Sequence, residues 1–103
     1  MNELSEISLF MERIQYDPRI GPLHISLYMA IVFCWAQQGR PERVQVSAKE
    51  LKPVAKIAGG APFYRCIRQL HRYGYIIYEP SFNPAVKSRI FLSLLESGGN
   101  VNG

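Results

Sequence analysis

Residues 59–80, GGAPFYRCIRQLHRYGYIIYEP, decide the fold because they join a predicted helix directly to a predicted strand. Two glycines and a proline open the stretch, and proline is favoured at the first position of a helix, where its missing N–H costs nothing. Gly74 ends the helical pattern, and the aromatic and β-branched residues after it are typical of a strand. The stretch therefore predicts a helix over 62–73 and then a strand.

The predicted helix has two faces with different chemistry at 100° per residue. Its apolar residues fall together on one side and indicate a buried face: Phe63, Cys66 and Leu70. Three arginines form a stripe on the opposite side: Arg65, Arg68 and Arg72. Such a stripe is either an ordinary solvated face or a surface that binds a polyanion.

Upstream of this helix, the sequence predicts a strand and a second helix. Val44 and Val46 alternate with polar residues in RVQVS, which is typical of a short strand. Ser47 and Glu50 have the spacing of a capping box, in which the serine side chain caps the first turn and the glutamate reaches back. A helix is therefore expected to begin at 48 and to end by Gly59.

Downstream, the sequence predicts a hairpin. SFNPAVKS, residues 81–88, is a turn-rich tip, and RIFLSLL, residues 89–95, has the composition of a returning strand. We call this hairpin, residues 75–95, the wing. The order strand, helix, turn, helix, strand, tip, strand predicts an α+β fold of the winged helix-turn-helix class, with three core helices and the wing.

The N-terminal part predicts one additional helix. Residues 22–38 are apolar on most faces and indicate a central buried helix that begins at Pro22. Residues 1–18 predict a separate amphipathic helix. The expected organisation is this N-terminal helix, a winged helix-turn-helix domain over 19–95, and a disordered tail over 96–103, which is polar and rich in glycine.

The N-terminal helix has an apolar stripe that must be covered. Phe10 lies at the edge of this stripe, which contains Leu4, Ile7, Met11 and Ile14. The stripe either joins two copies of the chain or folds back onto the helix at 22–38. The homodimer is favoured slightly, because the rest of the domain already covers that helix, and paired modules are common among proteins of this class.

The charge of the chain is distributed unevenly. Residues 1–39 hold two bases and four acids, which sum to −2, whereas residues 40–103 hold ten bases and four acids, which sum to +6. Together they give the formal net charge of +4 for the 103 residues. The basic part favours a nucleic-acid partner, although ordinary solubility charge is an alternative.

The sequence offers no chemistry for an enzyme. His24 and His71 lack further ligands at metal-binding spacing, and we expect no metal, cofactor, catalytic group or small-molecule ligand. Cys34 and Cys66 are interpreted as small buried hydrophobes, with a disulfide as the alternative. The apolar run at 23–36 is too short to cross a bilayer, and the acidic N-terminus does not have the pattern of a signal peptide, so we expect a cytoplasmic protein without membrane contact.

Several stretches resemble a known group of proteins. IGPLHISLYMAI, VSAKEL, FYRCIRQLHRYGYIIYEPSFNP and KSRIFL look like small winged-helix proteins encoded on bacterial mobile elements. The resemblance covers about residues 20–94, and RCIRQLHRYGYI with YEPSFNP is its most specific part. Proteins of this group are taken to be DNA-binding transcriptional regulators or excisionase-like accessory factors in recombination.

The resemblance implies which residues contact double-stranded DNA. In such proteins the third helix reads the DNA and the wing contacts its backbone. On this chain those roles fall on Ala61, Tyr64, Arg65, Arg68, Gln69, Lys87 and Arg89. Arg72 joins them because it shares the arginine stripe. A winged-helix protein-interaction module is the alternative function, and its candidate apolar residues are Ile77, Phe82 and Val86.

Overall fold

The computed structural model of the chain describes residues 2–83 and 85–92. These ranges form four helices and three strands. Their order is α1 (Glu3–Ile14), α2 (Pro22–Gln37), β1 (Val44–Val46), α3 (Ala48–Ala55), α4 (Gly60–Arg72), β2 (Ile76–Glu79) and β3 (Ser88–Leu92). The predicted α+β class is confirmed. The predicted disordered tail, 96–103, lies outside the described residues.

The three strands form one antiparallel sheet in the order β1-β3-β2. Val46 pairs with Ser88, so the start of β3 lies beside the residues that lead into α3. The side-chain amide of Gln38 hydrogen-bonds both the N–H and the carbonyl of Gln45, at 3.2 and 2.9 Å, on β1. On β2 the N–H of Tyr78 donates to His71. Side chains thus satisfy backbone groups on both outer strands, which limits pairing with other chains.

The core is built around α2, which is apolar on most of its faces. Its buried residues include Leu27, Ile31 and Trp35, and the Trp35 indole N–H donates to the Pro41 carbonyl at 2.9 Å. α3 packs against α2, and the Ser26 hydroxyl donates a hydrogen bond to the carbonyl at the end of α3. The apolar side of α4 covers the same core with Phe63, Cys66, Ile67 and Leu70. α4 packs against both α2 and β2, and these contacts fix which of its sides faces outward.

Local sequence signals place the helix ends largely as predicted. Pro22 is the first residue of α2, and both hydrogen bonds of the capping box between Ser47 and Glu50 are present. α3 ends at Ala55, where Lys56 adopts a left-handed conformation with φ of 62°. α4 begins at Gly60, two residues before the prediction. No helix in the described ranges has the length and apolar character needed to cross a membrane.

α1 packs on the core through a residue that we had predicted at the edge of a dimer interface. Phe10 is fully buried, its ring stacked on Tyr28 with centroids 3.8 Å apart and edge-on to Tyr75 at 5.4 Å. Assigning Phe10 to a dimer surface was therefore wrong, because its ring is covered within its own chain. Of the rest of the stripe, Ile7 and Ile14 pack partly on the core, whereas Leu4 and Met11 are exposed. A homodimer through α1 stays a prediction.

Candidate nucleic-acid interface

α4 presents a basic face opposite its buried side. Five residues predicted to contact DNA are exposed on this helix: Ala61, Tyr64, Arg65, Arg68 and Arg72. They are exposed because the helix buries only one stripe, and every third or fourth residue outside that stripe points to solvent. The helical periodicity of the sequence was therefore sufficient to predict which side of α4 is available to a partner.

The three arginines of this face form no ion pair and no side-chain hydrogen bond among the described residues. The ion pairs in residues 2–83 and 85–92 involve Arg19, Arg40, Lys87 and Arg89, and no hydrogen bond joins Arg65, Arg68 or Arg72 to another side chain. Residues 51–78 contain five Lys or Arg residues and no Asp or Glu. The face is therefore a concentrated positive charge with no acidic side chain of the described residues in contact.

The basic residues of the wing are placed differently. Lys87 Nζ lies 2.9 Å from a carboxylate oxygen of Glu50, and Arg89 Nε lies 3.2 Å from one of Glu79. The hydrogen bond from Lys87, followed by that from the Ser47 N–H, lowers the pKa of Glu50. Because these four side chains are about half exposed, the ion pairs are weak and can exchange with another anion. Their formal charges nevertheless cancel within the protein.

Gln69 lies at the side of the arginine face, and its amide is held by a residue that the sequence interpretation left without a role. His24, only 9% exposed, places Nε2 at 2.7 Å from Oε1 of Gln69. Its other ring nitrogen, Nδ1, accepts the N–H of Gly21 at 3.0 Å. His24 occupies the third position of α2, where a side chain can reach back to the first backbone amides. That position was the only sequence signal for this role.

His71 is a further residue of the exposed face that the predictions did not include. It is one turn beyond Arg68, and its Nδ1 accepts the Tyr78 N–H at 3.0 Å. A neutral imidazole that accepts at Nδ1 carries its proton on Nε2. His71 therefore adds a hydrogen-bond donor to the face. Its spacing of three residues from Arg68 could have indicated that the two side chains are neighbours on the helix surface.

The C-terminal end of α4 is anchored by the segment between α1 and α2. Asp17 accepts two hydrogen bonds from the Arg19 guanidinium, each 2.8 Å long, and a third of 2.7 Å from the Tyr75 hydroxyl. These hydrogen bonds, of which those from Arg19 have the largest effect, hold the pKa of Asp17 well below its usual value. Burial raises the pKa of Tyr75 to about 12. The Arg19 guanidinium also lies 4.0 Å from the ring centre of Tyr73. The basic face thus lies on a helix whose end is held by several polar contacts.

Part of the wing is apolar and exposed. The three residues named for the alternative function have exposed fractions of 42% for Ile77, 94% for Phe82 and 55% for Val86. Ile77 alternates away from the buried Ile76, so it lies on the outer face of the sheet. Phe82 and Val86 belong to the tip. The wing therefore presents apolar side chains to solvent as well as the ion-paired bases.

The described residues contain no cluster of three or more His, Cys, Asp or Glu that could hold a metal ion. Cys34 and Cys66 are free thiols, and burial raises the pKa of each. No protein-family model, no curated protein and no solved structure matches this chain.

Proposed function

We propose that this protein binds double-stranded DNA through α4 and the wing, and that its fold is a winged helix-turn-helix. In this proposal it acts as a transcriptional regulator or as an accessory factor in recombination. The element order supports the fold assignment, because α2, β1, α3, α4, β2 and β3 follow one another as the class requires, with β3 between the other strands.

One observation supports DNA binding more than any other: three exposed arginines on one face of α4 lack acidic partners. A helix is 10–12 Å across, and the major groove of B-DNA is about 12 Å wide, so a helix face can enter it. Each guanidinium can donate to phosphate oxygens or to the O6 and N7 atoms of guanine. The exposed arginine side chains bury no apolar surface, so the stability of the fold does not require them.

The proposal is tested by fluorescence anisotropy with a labelled duplex of about 20 base pairs, titrated at several salt concentrations. A basic protein that neutralises phosphates loses affinity linearly in log salt, with a slope of about −0.9 per phosphate. Three arginines that each neutralise a phosphate therefore give a slope of about −2.7. The absence of binding to any duplex at low salt would refute the proposal.

The exposed apolar residues of the wing favour a second candidate, a protein-interaction module. Exposed apolar patches are typical of protein-binding surfaces. The described part of the wing exposes three large apolar side chains, of which Phe82 at 94% is the most exposed. In that case Phe82→Ser would abolish binding to the partner protein, whereas replacing the arginines of α4 would not. The DNA titration separates the two candidates, because an apolar surface gives no salt dependence of this size.

A further inference from the structure

His24 connects the start of α2 to α4 through a hydrogen bond with a defined direction. The backbone N–H of Gly21 donates to Nδ1 of His24, so this nitrogen accepts with its lone pair and carries no proton. A neutral imidazole holds a single proton, which must then be on Nε2. Nε2 is therefore the donor in the 2.7 Å contact with Gln69.

The acceptor in this contact is Oε1 of Gln69, which fixes the orientation of the amide group. The amide nitrogen of Gln69 forms no hydrogen bond within the described residues. None of the buried side-chain nitrogen and oxygen atoms there lacks a partner, so this nitrogen is in contact with solvent. Gln69 thus turns its oxygen toward α2 and its NH₂ group outward.

The outward NH₂ group lies next to the arginine face. Gln69 follows Arg65 by four residues and precedes Arg72 by three, and residues at these spacings are neighbours on a helix surface. A ligand that contacts the two arginines can therefore also reach the Gln69 amide.

We propose that His24 is a positioning residue that makes Gln69 a hydrogen-bond donor to DNA, which rests on the function proposed above. A glutamine that is free to turn recognises adenine with two bonds, accepting from N6 and donating to N7. Gln69 does not present that pair of atoms to a base, because the bond from His24 holds its oxygen toward α2 while its NH₂ group points outward. Its partner is a single acceptor atom instead: N7 of adenine or guanine, O6 of guanine, O4 of thymine, or a phosphate oxygen.

The orientation is tested without DNA by long-range ¹H–¹⁵N correlation spectra of the histidine rings. The expected result for His24 is the neutral form with the proton on Nε2 and an unprotonated Nδ1. A proton on Nδ1, or a ring that exchanges between the two forms, would overturn the fixed orientation. This measurement does not depend on whether the protein binds DNA.

The donor role is tested by selecting from a pool of randomised duplexes with the wild type, His24→Phe, His24→Gln and Gln69→Met. Phe fills the space without hydrogen bonds, whereas Gln keeps one acceptor and one donor close to the ring positions and serves as the conservative control. The wild type is expected to disfavour cytosine, which presents a donor and no acceptor in the major groove, about threefold to tenfold relative to the other bases at the contacted position, which is one hydrogen bond. His24→Phe should instead favour adenine, because the freed amide can form both bonds, and His24→Gln should retain the wild-type pattern.

The outcomes distinguish a base atom from a phosphate oxygen as the acceptor. They also distinguish failure of the donor role of Gln69 from failure of the proposed DNA binding. If the acceptor is a base atom, Gln69→Met lowers the affinity only for duplexes that carry that base at the contacted position. If the acceptor is a phosphate oxygen, it lowers the affinity for all duplexes equally. An adenine preference of the wild type that Gln69→Met abolishes would overturn the donor role. The donor role would also be overturned if Gln69→Met had the same affinity and base preference as the wild type. Failure of the wild type to bind any duplex would instead refute the proposed function, whatever the histidine spectra show.

Discussion

The basic residues of α4 and those of the wing differ in their partners, although they look equivalent in the sequence. Arg65, Arg68 and Arg72 have no acidic neighbour in contact, whereas Lys87 and Arg89 are each paired with a glutamate. A cation without an internal partner gains a full interaction when an anion binds. A paired cation must first lose the interaction that it has. We therefore expect the arginines of α4 to contribute more of the binding energy at the proposed interface than the bases of the wing.

The largest expected effect comes from replacing all three arginines of α4 by glutamine. At about 0.1 M salt this variant should bind duplex DNA about 100-fold more weakly or worse, and its salt slope should become shallower by about 2.7, since three phosphate contacts are lost. The stability should stay within about 0.5 kcal/mol of the wild type, because the side chains are exposed. Anisotropy and urea unfolding measure the two quantities.

A matched control changes the charge equally on other elements. Arg13, Arg40 and Arg43 are exposed and can also be replaced by glutamine. This control should lose much less affinity than the α4 variant. Equal losses in the two triple variants would show that net charge alone drives binding, and the distinction drawn for α4 would then fail.

Substitutions in the wing are expected to change the DNA affinity less than those in α4. Removing the acid Glu79 should raise the affinity instead of lowering it. Glu79→Gln releases Arg89 from its ion pair and removes a negative charge, so DNA affinity should rise about threefold. Lys87→Met should lower it by less than about threefold, because Lys87 is already balanced by Glu50. A loss of tenfold or more with Lys87→Met in the same anisotropy assay would place the main contact in the wing instead.

The smallest effect concerns stability and its dependence on pH. Lys87 lowers the folded-state pKa of Glu50 below its ordinary value of 4.5. The contribution of this pair is therefore present above that value and is lost as the pH falls through the lowered pKa. Glu50→Gln keeps a side chain that can reach back to the Ser47 N–H but removes the ion pair. It should cost a few tenths of a kcal/mol at pH 7 and nothing at pH 2 in urea unfolding. An equal cost at both pH values would contradict this assignment.

The features that were predicted correctly depend on residues close in sequence. The exposed side of α4 follows from helical periodicity, and the start of α3 follows from Ser47 and Glu50, three residues apart. Such signals need no knowledge of the rest of the chain, because a helix places neighbours at three and four residues on one surface. The sequence was sufficient for these elements.

The features that were missed join residues far apart in sequence. The Lys87–Glu50 pair depends on the β1–β3 register, and the His24–Gln69 bond spans 45 residues. Phe10 looked like part of a free surface because its partner rings come from α2 and from the start of the wing. No local pattern indicates which distant side chain will fill such a position.

The most direct test of the central claim observes the arginine side chains themselves while DNA is added. Two-dimensional NMR of the Nε–Hε groups, with a duplex of about 20 base pairs in low salt, reports each guanidinium separately. The account predicts that the signals of Arg65, Arg68 and Arg72 shift and broaden first, and that Arg89 changes much less. Unchanged signals of these three arginines, or a larger change at Arg89 than at any of them, would contradict it.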